Sequence, residues 1–385
     1  MASRYIKIVN FIRETFNQPS EDIILHQPCF MGNEKKYMEE CIDSTFVSSV
    51  GKYVNLFERK ITDYTGVKYA VATVNGTAAL HMSLMLSGVE ENDEVIAQPL
   101  TFIATINAIK YCGASPVFVD VDRSTLGLSP QKLKDFLEKE SYIKEDGYCY
   151  NKKTKKRIAA CLPMHTFGHP LRIDEIVQIC QEFNIKVIED AAESIASKYK
   201  GKHTGSFGLL GVLSFNGNKT ITTGGGGMIL TNDKTIAEKA KHLTTTARIK
   251  HSYEFIHDET GYNYRMPNIN AALGCAQMES LDYFVSQKRL LAEKYFNFFG
   301  KEGIKFFSEP EGAYSNYWLN TIMMSNKEER DEFLKFSNLH GVLCRPVWRL
   351  SNKLEMYKKY QTANLDNAEG LEEQLVNLPS SVINI

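Results

Sequence analysis

Between Tyr69 and Asp190 short apolar runs alternate with longer amphipathic stretches, and this alternation narrows the possible folds more than any other feature of the chain. Tyr69-Ala-Val-Ala-Thr-Val74, Glu94-Val-Ile-Ala97, Pro116-Val-Phe-Val-Asp120, Ile158-Ala-Ala-Cys-Leu162 and Lys186-Val-Ile-Glu-Asp190 read as short buried strands. Between them, Gly76 to Leu86, Thr101 to Tyr111, Pro130 to Lys139 and Ile173 to Phe183 carry helical spacing, as do Asn33–Phe46 and Val54–Tyr64 upstream. Repeated strand–helix–strand units with short apolar strands predict an α/β fold with a mostly parallel central sheet covered by helices on both faces.

The pattern changes twice. From Ser141 to Arg157, Asp146-Gly147 and the run Lys152-Lys-Thr-Lys-Lys156 suggest a solvated hairpin or loop. Beyond Thr231 long helices are expected near Ile236–Leu243 and across Asn268–Phe298, followed by short strands (Trp318–Met323) and a helix (Glu328–Phe336). With 385 residues and about 150 residues per domain, the expected division is an N-terminal amphipathic helix in 1–25, a large domain over 26–265 and a small α+β domain over 266–385. Tyr5, Val9, Ile12 and Phe16 mark the apolar stripe of the first segment.

Charge removes several functions. Lys plus Arg is 45 and Asp plus Glu 46, a net −1, which speaks against binding nucleic acid or an anionic membrane through overall charge. No apolar run approaches the ~18 residues of a membrane span. Lys7, Asn10 and Arg13 interrupt what would be a signal-peptide core. The eight cysteines form no C-x-x-C pair and read as reduced core residues. A cytoplasmic enzyme is the expected class.

Ligands of open α/β sheets lie at the carboxyl ends of strands. Asn75-Gly76-Thr77-Ala78 follows a strand and opens a helix; it is an anion site or simply a capped helix. Asp190 closes a buried strand and needs a cation, a metal, a protonated ring nitrogen or a helix to cap. Lys219, in Ser214-Phe-Asn-Gly-Asn-Lys-Thr220, precedes Gly224 to Gly227, glycines expected to let a flat group approach the backbone beside a desolvated amine. Gly261-Tyr-Asn-Tyr-Arg265 is a polar-aromatic lead-in to a helix or a ligand loop. No metal is expected: His165 and His169 flank a Gly-containing loop and read as satisfied histidines. No G-x-S-x-G occurs, and Gly205-Ser-Phe-Gly208 has the wrong spacing for a dinucleotide loop.

Gly76-Thr-Ala-Ala-Leu80, Pro99-Leu-Thr-Phe-Ile-Ala-Thr105, Glu189-Asp-Ala-Ala-Glu193, Ser214 to Lys219 and Gly261 to Arg265 occur in the order found in the DegT/DnrJ/StrS sugar aminotransferases, which the chain resembles from about residue 25 to about residue 380. The resemblance implies the pyridoxal 5'-phosphate (PLP) transferase fold type I, and a homodimer acting on nucleotide-linked keto-sugars. By that resemblance Lys219 is the Schiff-base lysine and Asp190 the partner of the pyridine nitrogen. Phe102 stacks on the ring and Glu193 meets its hydroxyl. Gly76, Thr77, Ala78 and Ser214 cradle the phosphate, and Asn263 reaches it from the other subunit. Asn216 stands beside them where many members have His, Gly225 where many have Glu, and Glu193 where Gln or His is frequent. These choices resemble the legionaminic-acid and bacillosamine branch, which uses L-glutamate to aminate C4 of a nucleotide-linked 4-keto-6-deoxy-N-acetylhexosamine. Amination on a GDP carrier is the alternative. A dehydrating subgroup has His in place of the lysine, and a non-catalytic regulator needs neither Lys219 nor Asp190. Arg248, Lys250 and His251 form a basic cluster that could meet the nucleotide or simply end a solvated helix.

Overall fold

The computed structural model describes residues 2–383. Its central sheet contains β1 (Tyr69–Thr73), β2 (Glu94–Ala97), β3 (Ser115–Phe118), β4 (Ile158–Leu162), β5 (Lys186–Asp190), β6 (Leu210–Ser214) and β7 (Gly227–Thr231), in the order β1-β7-β6-β5-β4-β2-β3. β2 to β6 run parallel, and β7 runs against both neighbours. Every residue of β2, β3, β6 and β7 is buried, so their largely apolar runs, without alternation, reflect two covered faces.

One covering layer contains α2 (Gly76–Leu86) and α3 (Ile103–Tyr111); Leu80, Met82, Leu84, Ile106 and Ile109 pack with Val95, Ile188 and Ile229 of the sheet. The helix predicted from Thr101 begins two residues later. Phe102 is its extended N-cap (φ −65°, ψ 142°), which leaves that ring outside the helix. The expected hairpin forms, with Ser141–Ile143 paired to Cys149–Asn151.

The single helix expected over Asn268–Phe298 is two, α4 (Asn268–Glu279) and α5 (Leu281–Lys301). Ser280 leaves helical geometry (φ −109°, ψ 0°) between them, while the apolar spacing continues across the break and conceals it. α4 packs Ala271, Ala272 and Cys275 with Phe57 and Ile61 beneath the central sheet. α5 lies instead over a second, antiparallel sheet of β8 (Lys305–Phe306), β9 (Asn320–Met323), β10 (Arg345–Pro346) and β11 (Leu375–Leu378), ordered β8-β9-β11-β10. The N-terminal helix α1 (Ala2–Phe16) buries Ile8 and Ile12 in the same cluster as Leu291, Tyr295, Val376 and Leu378.

All eight cysteines are free; Cys112 is half-buried and the others are buried. Among the described residues no helix is long and apolar enough to cross a membrane.

Candidate active site

β5 and β6 are neighbours, with Val212 opposite Asp190. Side chains alternate along a strand, so Glu189 and Asp190 have different surroundings. Glu189 accepts the N–H groups of Gly205 (2.8 Å), Phe207 (2.6 Å) and Gly208 (2.7 Å) and pairs with His165 Nε2 at 3.0 Å. Burial pushes its carboxyl up, but His165 and these amides outweigh burial and hold it below its usual range. Asp190 faces the cavity. It accepts the Thr105 hydroxyl at 2.7 Å and the Ala192 N–H at 3.1 Å, and burial raises its carboxyl. A carboxylate so placed gains from a cationic partner.

The start of α2 lies against the end of β6. A Cβ on Gly76 would stand 2.9 Å from Ser214 Cβ, so the approach requires glycine. The first N–H groups of a helix have no acceptor within it; those of Gly76 and Thr77 sit beside the Thr77 and Ser214 hydroxyls in the cavity wall. Ala78 is one step further in. Its N–H goes to Asn75 Oδ1 at 2.8 Å, and it does not line the cavity. Gly76→Val is expected to weaken PLP binding at least about tenfold, because overpacking here displaces the donors; fluorescence titration of the cofactor-free protein checks it.

The cavity holds about 290 Å³ and gathers Gly76, Thr77, Phe102, Asp190, Glu193, Ser214, Asn216 and Lys219. Lys219 Nζ lies 3.3 Å from Glu193 Oε1 and 4.0 Å from the Trp318 ring centre. Glu193 also accepts the Phe167 N–H at 2.9 Å; Phe167 has a positive φ of 57°. Burial pushes the Glu193 carboxyl up to about 7, against the downward pull of Lys219.

The glycine run works differently from the expectation. Gly224 to Gly227 do not line the cavity. A Cβ on Gly227 would stand 2.4 Å from Asn75 O and 2.8 Å from Gly76 N, so this glycine lets β7 pass close behind the start of α2. The histidine reading divides: His165 is satisfied, whereas His169, fully buried and held down to about 3 by desolvation, has no partner for either ring nitrogen among the described residues. Asn263 is exposed and outside the cavity of its own chain, as are Arg248 and Lys250; His251 is half-buried and also lies outside it. Arg265 pairs with Glu58 at 2.6 Å. His242, Asp258 and Glu259 lie close enough to share a metal, but at the surface, with Glu259 already paired to Lys239.

Sequence reasoning missed Thr105, Trp318 and Trp348. Thr105 closes the Pro99–Thr105 stretch, and the chain's only two tryptophans both line this cavity. Rarity of tryptophan was the available signal.

The donor set fits PLP. Helix N-terminal amides with two hydroxyls suit a phosphate, the buried Asp190 suits a protonated ring nitrogen, Phe102 offers a ring to stack on, and Lys219 is an amine in the same cavity. A sheet of this topology with that set at its strand ends defines a PLP-dependent aminotransferase of fold type I. The chain belongs to the DegT/DnrJ/EryC1/StrS aminotransferase family, whose model matches residues 28–383. It is 40% identical over 363 residues to a GDP-perosamine synthase of Escherichia coli O157:H7, covering 93% of each protein. A GDP-perosamine synthase of Vibrio cholerae is 34% identical over 361 residues, covering 93% of this chain and 94% of that one. The solved aminotransferase TlmJ from Streptoalloteichus hindustanus has a TM-score of 0.84 and 27% identity, covering 93% of each chain.

Proposed function

We propose that this enzyme transfers an amino group from L-glutamate to C4 of a GDP-linked 4-keto-6-deoxy sugar. The observation that carries the choice of carrier is the 40% identity to a GDP-perosamine synthase across 93% of both chains. The Asn216 and Gly225 choices favour a second reading, C4 amination of a UDP-linked 4-keto-6-deoxy-N-acetylhexosamine of the legionaminic-acid or bacillosamine type. A panel of GDP- and UDP-linked 4-keto sugars, with glutamate as donor, separates them. The GDP substrate is expected to give the higher kcat/KM, with 2-oxoglutarate formed in equal amount; a preference for the UDP substrate selects the second reading.

When bound, PLP supplies an aldehyde that exchanges amino groups and a ring that withdraws electrons. In this reading Asp190 keeps a proton on the ring nitrogen, and the Thr105 hydroxyl and Ala192 N–H hold Asp190 in place. Gly76, Thr77 and Ser214 anchor the phosphate. Lys219 Nζ takes and returns the proton moved at the reacting carbon, and the Glu193 carboxylate and the Trp318 face bound the space in which that amine moves. Glutamate and the sugar use this one cavity in turn, with Phe102 and Trp348 in its wall.

Glu193 makes a test that depends on pH. Its carboxyl, raised to about 7, holds more protons folded than unfolded, so its contribution to stability falls as pH rises from its ordinary range through about 7. In cofactor-free protein the gain in Tm of Glu193→Gln over the parent is therefore expected to widen between about pH 5 and about pH 8. A constant difference would contradict the assignment.

The active unit in this reading is a homodimer in which Asn263 serves the partner's site. Asn263 is exposed, and Tyr253 and Phe255, in the hairpin that pairs Arg248–Ile249 with Ile256–His257, are 80% and 76% exposed. A second apolar group, Phe30, Phe46 and Val50, is also exposed. Replacing Tyr253 and Phe255 together with Ser is expected to halve the mass seen by light scattering and to lower PLP affinity.

A further inference from the structure

The stretch Ser315-Asn316-Tyr317-Trp318 leads into β9 of the second sheet, yet Asn316 makes its contacts around the cavity. Asn316 is fully buried. Its Nδ2 lies 2.9 Å from the Glu193 carbonyl, 2.8 Å from the Ile195 carbonyl and 3.3 Å from Thr220 Oγ1. Its Oδ1 accepts the Trp318 N–H at 2.9 Å, and its own N–H goes to Ser197 Oγ at 2.9 Å. Every polar atom of the carboxamide is used.

The neighbouring backbone is shaped around this amide. Gly168 has φ +93°, and a Cβ there would stand 1.9 Å from Asn316 Oδ1. The Gly168 carbonyl accepts the hydroxyls of Ser197 (2.7 Å) and Ser315 (3.0 Å), which close the knot from the other side.

Three of the groups that Asn316 grips bear on Lys219. Glu193 meets the amine with its carboxylate, Thr220 is the next residue in the chain, and the indole of Trp318 lies against Nζ. Trp318 is tied at its other polar atoms as well. Its Nε1 donates to Asn218 O at 2.7 Å, and its carbonyl accepts from Lys288 Nζ at 3.2 Å. Lys288 is itself buried and also bonds His26 Nε2 (2.8 Å) and the Ser380 carbonyl.

We propose that Asn316 is a positioning residue for Lys219: one buried carboxamide fixes Glu193, Thr220 and Trp318 relative to one another, and so sets where the amine stands. The inference rests on Lys219 being the amine that reacts with PLP. It adds that the second sheet contributes to the geometry of that amine through Asn316.

Asn316→Asp tests it with almost no change of shape. The variant keeps an acceptor for the Trp318 N–H and, when ionised, loses the donors to Glu193 and Ile195. When protonated it regains one donor. A displacement of about 1 Å can cost on the order of 10²-fold, so kcat at about pH 8.5 is expected to fall about 10- to 100-fold, with KM for the nucleotide sugar within about twofold. The ratio of variant to parent should rise as pH is lowered toward about 6. Because Glu193 titrates in the same range, that ratio at each pH is the quantity read.

A readout independent of turnover is acetic anhydride labelling in cofactor-free protein, with Lys219 compared with the exposed Lys186 by mass spectrometry. The variant is expected to raise relative labelling of Lys219 about threefold or more, since a loosened slot exposes the amine. If Asn316→Asp does not fold, Thr220→Val removes only the 3.3 Å contact and is expected to lower kcat about threefold at constant KM. A flat variant-to-parent ratio with unchanged labelling overturns the inference. Borohydride trapping of PLP at a residue other than Lys219 in the parent overturns the reading beneath it as well; trapping at Lys219 with Asn316→Asp behaving as the parent sinks the positioning role alone.

Discussion

Lys219→Ala is expected to lower turnover by about 10³-fold or more and to abolish the visible colour that PLP takes on when bound. The size follows from the two duties this reading gives the residue, attachment of the cofactor and movement of the proton; the second alone is worth about 10²- to 10⁴-fold. The fold should survive. The Lys219 side chain is 11% exposed, its ion pair with Glu193 at 3.3 Å is its one carboxylate contact among the described residues, and alanine leaves Asn216 to Thr220 free to turn as before. Removing the cation also leaves Glu193 without its charge partner, so the variant should hold that carboxyl protonated to higher pH. Half-transamination with glutamate, followed by 2-oxoglutarate formation, is the measurement. Retained turnover, or borohydride trapping of the cofactor at another lysine, would refute the assignment.

Asp190→Asn is expected to lower kcat about 10²- to 10³-fold while Tm moves by only a few degrees. The amide oxygen can still accept the Ala192 N–H, and the amide NH2 can donate to Thr105 Oγ1, whose hydroxyl also accepts, so the local packing keeps its shape. What disappears is the negative charge. A neutral side chain no longer holds a proton on the ring nitrogen, and preorganised charge of this kind is worth about 3–4 kcal/mol. PLP affinity should fall as well, by about tenfold, because a charge-assisted hydrogen bond becomes a neutral one. Single-turnover rates with glutamate and with the nucleotide sugar should fall together. A variant that loses only affinity, with kcat intact at saturating PLP, would make Asp190 a binding group and nothing more.

Much of this site was legible because its residues stand at strand ends. The apolar run Lys186–Asp190 predicts a strand, and β5 forms over those residues; Asp190 thereby falls at the sheet's carboxyl edge, in one cavity with Ser214 at the end of β6. The helix beginning at Gly76 was legible from its cap, since Asn75 is a good N-cap and Gly76 tolerates close approach. What escaped depends on contacts distant in sequence. Trp318 and Trp348 reach the cavity from the C-terminal third, and nothing local in those stretches points toward a sheet begun at Tyr69. The role of the glycine run is hidden for a related reason: the obstacle near Gly227 is the backbone of Asn75, which adjoins it only after β7 pairs with β1. The break at Ser280 was invisible because periodicity reports which face is apolar and not whether the axis continues.

The burial of α1 with β11 joins two segments that lie far apart in the sequence. Ile8 and Ile12 share a cluster with Leu291 and Tyr295 of α5 and with Val376 and Leu378 of β11, so their apolar face gains its first mates only with α5 and is fully covered only with β11. During synthesis that face is open to chaperones or to another nascent copy until α5 arrives, and removal of either α1 or β11 strips cover from the same patch.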